Sequence, residues 1–69
     1  MKLSARNVLK GKVKAIEQGA VNVEVIIEIA EGIEITSIIT KKSCESLDLQ
    51  VDKPAYAVIK GSNVMVGVE

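Results

Sequence analysis

Three short segments of this sequence gather side chains suited to holding an anion. Ser4-Ala5-Arg6-Asn7 places a hydroxyl, a guanidinium and an amide within four residues. The fixed donor fork of arginine matches an anion that carries several oxygens. Thr40 and Ser43 bracket Lys41 and Lys42 where a short helix is expected to begin. Cations in a first turn oppose the helix dipole, which costs stability unless an anion is near. Lys60-Gly61-Ser62-Asn63 joins an ammonium group to the amides of a turn, the makings of an anion nest. Uncharged donors outnumber charges in all three, as a dry site matched to the size of one anion requires. Each segment also has an ordinary alternative: a solvated arm, a capped helix with a solvated lysine pair, a plain turn. Together they point to a compact oxyanion.

Other chemistries find less support. General acid–base catalysis favours histidine or carboxylates in a dry pocket. The chain has no histidine, and its carboxylates fall on alternating strand positions or in turns. Cys44 stands alone, with no histidine to activate it and no second thiol for a disulfide or a structural zinc site. No glycine-rich phosphate loop occurs. No enzyme and no bound metal are therefore expected. Single-stranded nucleic acid needs aromatic platforms, and Tyr56 is the only aromatic residue. Nine basic side chains balance nine acidic ones, which also argues against a polyanion partner.

The elements that must position these segments show a period of two. In VNVEVIIEI, Val21, Val23, Val25, Ile27 and Ile29 share one face, opposite Asn22, Glu24 and Glu28. Residues 33–40 alternate likewise, and Ala30-Glu31-Gly32 between them has hairpin length. Upstream, residues 7–17 read as a first strand with Gly11 as a bulge or a point of close approach. Downstream, residues 54–60 and 64–68 read as two more. Residues 41–49, KKSCESLDL, break the alternation and suit a short helix with Thr40 as N-cap and Leu47 and Leu49 inward. The expected fold is all-β: a five-stranded OB-fold-like barrel with one helix between strands 3 and 4. It forms a single domain over residues 1–69.

Charge is segregated along the chain. Lys2, Arg6, Lys10, Lys12 and Lys14 precede every acid, and Glu17, Glu24, Glu28, Glu31 and Glu34 follow with no base among them. Cross-strand ion pairs for Lys10, Lys12 and Lys14 are the simplest expectation. A domain of 69 residues is marginal without a staple. With disulfide and zinc excluded and 48% of residues hydrophobic, self-association is the expected substitute. No signal peptide or membrane span is legible, and a lone thiol fits a reducing cytoplasm.

Along essentially its whole length the chain also resembles a known family. MKLSARNVLKGKV, ITSIIT and the closing YAVIKGSNVMVGVE are similar to the molbindins (Mop), small proteins built from one TOBE-like molybdate-binding domain. The resemblance implies an OB-like barrel assembled as a homohexamer, a trimer of dimers. It implies molybdate or tungstate held as an intact oxyanion at subunit interfaces, for intracellular storage and homeostasis without turnover. It places oxyanion contacts at Ser4, Ala5, Arg6, Asn7, Thr40, Ser43, Lys60, Gly61 and Ser62. Many relatives carry serine or alanine after the late lysine, where this chain has Gly61, so that its amide or Ser62 would substitute. Alternatives of another class are a molybdopterin-binding module and a regulatory interaction module. Neither nucleic acid nor membrane is an expected partner.

Overall fold

The period-two stretches form three consecutive strands, β1 (Asn7–Gln18), β2 (Asn22–Ala30) and β3 (Ile33–Thr40). A helix α1 (Lys41–Ser46), a strand β4 (Pro54–Ile59) and a 3-10 turn (Gly61–Asn63) follow in the computed structural model, which describes all 69 residues. The strands pair antiparallel in the order β3-β2-β1-β4. Gly32 turns β2 into β3 at φ +77°, a conformation that a Cβ would penalise.

β1 organises the sheet. From Lys12 to Gln18 it pairs with β2, and from Asn7 to Lys12 with β4. Lys14 is an extra residue between the pairs Val13↔Ile27 and Ala15↔Ile26, a bulge that sharpens the local twist. Gly11 is a point of close approach: a Cβ there would lie 2.3 Å from the Glu28 carbonyl oxygen. The strongly curled sheet is a half-barrel. Val13, Val23, Val25, Ile27 and Ala57 pack inside it with Cys44 of α1. The link from α1 to β4 is stitched to β1, since Asp52 N donates to Val13 O and Val13 N to Lys53 O.

The all-β, OB-like class with a helix between the third and fourth strands agrees with the sequence reading. Four details differ. The helix stops at Ser46, and Leu47 is 66% exposed instead of inward, although Leu49 does pack against the core. Val21 lies in the turn before β2 and is exposed, because β2 starts one residue later. The fifth strand at residues 64–68 is not paired within the subunit, where the sheet has four strands. The 3-10 turn passes into extended backbone at Val64 instead of reversing the chain onto β4. Met65, Val66 and Val68 are consequently 94%, 89% and 93% exposed.

The unfinished barrel leaves a seam. Two depressions in the surface are bordered on one side by β3 and on the other by β4, the two edge strands. Only Val13, Val23, Val25, Ile27, Cys44 and Ala57 are buried. The accessible surface is 5572 Å². A folded monomer of this mass is expected to expose about 4,200 Å². The excess is roughly 1,400 Å², more than the ~800 Å² that one partner covers in a standard interface.

Candidate oxyanion site

The β1–β4 register brings two of the three donor segments together. Asn7 pairs with Ile59, and Val8 with Val58, so Ser4-Ala5-Arg6 and Lys60-Gly61-Ser62 leave the ladder at the same end. Continuing that register one residue would set Arg6 opposite Lys60. Like charges directly opposite are destabilising, which favours an anion between them. Asn7 itself is partly buried, and its Nδ2 donates to the Ile59 carbonyl at 3.1 Å. In the turn, Asn63 N donates to Lys60 O at 2.8 Å and Val64 N to Gly61 O at 3.2 Å. The amides of Gly61 and Ser62 stay free of backbone partners, as do those of Ser4, Ala5 and Arg6. This corner therefore offers two cations, the Ser4 and Ser62 hydroxyls and a set of unspent N–H groups. All of its residues are exposed except Ala5 and Asn7, which are half-buried.

The third segment is built separately. Thr40 caps α1 as its sequence position predicts, with Oγ1 accepting from Ser43 N at 3.0 Å and donating to Ser43 Oγ at 2.9 Å. The hydroxyl hydrogen of Ser43 is thus left for another acceptor. Lys41 N donates to Val21 O, and the buried Cys44 fixes the helix to the core. Thr40, Lys42, Ser43, Ser46 and Leu47 line one shallow depression. Ser46 was not singled out in the sequence, although the spacing Thr40, Ser43, Ser46 already put three hydroxyls on one helix face.

These two donor groups lie at opposite ends of β1. Thr40 pairs with Asn22, and Val23 with Gln18, whereas Ile59 pairs with Asn7. Eleven steps from Asn7 to Gln18, at about 3.3 Å each, give a strand contour of roughly 36 Å. The depression around Ser43 includes no residue of the other corner. One subunit thus presents two separate donor groups, each a candidate half-site.

The cations at both half-sites have no carboxylate partner. The salt bridges involve Lys14 with Glu28 (3.7 Å) and Glu34, and Lys53 with Asp48 (3.6 Å). Lys10 and Lys12 thus lack the cross-strand pairs expected of them, and only Lys14 forms its pairs. The bulge at Lys14 carries its side chain to both glutamates. The hydrogen bond that Lys14 donates to Glu34, followed by the Coulombic attraction of that carboxylate, raises the pKa of Lys14 above its ordinary value. No group of three metal-ligating side chains occurs. No helix is long and apolar enough to cross a membrane.

Comparison with known proteins supplies the family. Residues 3–66 match the TOBE domain. The chain is 52% identical, over the full length of both proteins, to a probable molybdenum-pterin-binding protein of Haemophilus influenzae. Among solved structures, MopII from Clostridium pasteurianum superposes with a TM-score of 0.89 at 45% identity, covering 97% of this chain and all of that one. The cytoplasmic molybdate-binding protein ModG, with molybdate bound, gives 0.94 at 52% identity, covering this whole chain and 49% of that one. With a family match over residues 3–66 and full-length relatives of this kind, the chain belongs to the TOBE-domain family as a molbindin (Mop) type domain.

Proposed function

We propose that this protein binds molybdate or tungstate as an intact oxyanion between subunits of a homo-oligomer, as an intracellular molybdenum store in the cytoplasm, without turnover. The observation that carries the reading is the separation of the half-sites. Ser4, Ala5, Arg6, Lys60, Gly61 and Ser62 share one end of β1, while Thr40 and Ser43 occupy the other. A tetrahedral dianion taken out of water needs donors on all its oxygens and compensating charge. The first group brings the Arg6 guanidinium and the Lys60 ammonium, and the second brings the oriented Thr40 and Ser43 hydroxyls beside Lys41 and Lys42. Two copies arranged head to flank would enclose the ion, with Arg6 and Lys60 from one and Thr40 and Ser43 from its neighbour. Molybdate-binding relatives such as ModG support the choice of anion.

Assembly has its own support in the seam. Residues 64–69 are long enough to fill the gap beside β4, which has six residues. Val64, Val66 and Val68 alternate with Met65, Gly67 and Glu69, so one face of that segment is entirely valine. Supplied by a second copy, it would satisfy the open edge of β3 or β4 and cover the apolar interior, giving the fifth strand that the sequence predicts. A trimer of such dimers is the homohexamer that the family resemblance implies. Because the ion would bind only the assembled form, its occupancy should stabilise the assembly.

Titration calorimetry with molybdate, tungstate and sulfate, alongside a mass measurement, tests the reading. Arg6→Ala should weaken molybdate binding by about 1.5–3 kcal/mol, the range for a hydrogen bond to a charged group. A wild-type protein that ignores molybdate would end the proposal.

A further inference from the structure

We infer that Asn7 is a positioning residue, a strut that sets the distance between Arg6 and Lys60 and thereby the size of anion the site accepts. The inference rests on the binding reading above and adds the origin of its selectivity. Asn7 and Ile59 form the last pair of the β1–β4 ladder. Immediately beyond it stand two cations, and their mutual repulsion tends to splay the ends of the two strands. The side chain of Asn7 spans that last pair, its Nδ2 donating to Ile59 O at 3.1 Å across 52 residues of sequence. It is the one side-chain hydrogen bond that joins β1 to β4. Ile59 directly precedes Lys60, so the bond fixes the residue from which the lysine turn departs. Asn7 directly follows Arg6, so the same bond fixes the guanidinium arm.

The position of Asn7 on the strand agrees with this role. It is half-buried and in phase with Val13 on the inner face, while Arg6 and Lys60 are exposed. Ile59 O can accept only, so the amide nitrogen must face it and the Asn7 Oδ1 is directed elsewhere. Its Oδ1 would repel a dianion and its Nδ2 is engaged by Ile59 O, so the role inferred for Asn7 is geometric, through that bond. With the strut in place the Arg6–Lys60 gap is set before the anion arrives. Without it the gap relaxes, and discrimination between the larger molybdate and the smaller sulfate should weaken.

The test compares wild type with Asn7→Leu, which keeps the bulk and removes the donor. Calorimetry with molybdate and with sulfate, on protein whose assembly mass is checked, should show molybdate affinity reduced about tenfold. The molybdate-to-sulfate affinity ratio should fall with it. An unchanged affinity and ratio would overturn the inference. So would equal losses for both anions, the mark of a merely structural role. If Asn7→Leu does not assemble, the wild-type side-chain amide answers by NMR: one Asn7 amide proton should exchange slowly in anion-free protein, and solvent-rate exchange would overturn the strut. Wild type failing to bind molybdate would count against the binding reading, through a different arm of the experiment.

Discussion

Replacing Val66 by aspartate probes the seam and through it the assembly. Val66 is 89% exposed in the single subunit, so nearly its whole side chain is available for burial against a partner. Fully burying a valine side chain contributes about 1.5–3 kcal/mol. With each 1.4 kcal/mol worth a factor of ten, its loss alone weakens each strand-exchange contact about ten- to hundredfold. An unpaired carboxylate in the seam adds a desolvation penalty on top. Val66→Asp should therefore dissociate on dilution at concentrations where wild type stays assembled, as followed by sedimentation velocity or native mass spectrometry. Glu69→Gln, on the other face of the same segment, should leave the mass unchanged. If Val66→Asp kept the wild-type mass through the same dilution series, residues 64–69 would not be the missing strand.

Two further outcomes concern the subunit itself. Gly11→Ala should lower stability by about 1–3 kcal/mol in thermal or denaturant unfolding, because its Cβ would meet the Glu28 backbone oxygen at 2.3 Å and force β1 and β2 apart; an unaffected midpoint would contradict the close approach. Lys14 has a folded-state pKa raised above 10.5, chiefly by its hydrogen bond to Glu34, so its contribution is complete below pH 10.5 and is lost as pH rises through the folded-state value. Wild type should lose its small advantage over Lys14→Met on that alkaline limb, and parallel stability curves would dismiss the Lys14–Glu34 pairing.

The alternation of Val23, Val25 and Ile27 and of Ile35 and Ile39 made β2 and β3 legible, because a period of two is a local property. Thr40 was legible as a cap for the same reason: its hydroxyl reaches only three residues ahead, to Ser43. The bulge at Lys14 was not, since it depends on which β2 residue faces Val13, a relation spanning a hairpin. Leu47 looked inward by helical phase, but the helix ends before it and the phase no longer applies. Residues 64–68 have the pattern of a strand without a partner inside the subunit. Pattern specifies which face is apolar, not which chain covers it. The three donor segments were legible in the sequence, but Ser46 and the division of the segments into two groups were not. That division follows from strand order, which puts Lys60 beside Arg6 and leaves Thr40 at the far end of β1.

Complementation between two defective variants tests the shared site most directly. One carries Arg6→Ala and Lys60→Ala, the other Thr40→Ala and Ser43→Ala. Each should assemble and bind molybdate poorly alone. Dissociated, mixed and reassembled in equal amounts, they should recover about a quarter of the wild-type binding capacity, the random-mixing fraction for sites that take one half from each of two subunits. A mixture that stays as inactive as its components would contradict a site built between copies of the chain.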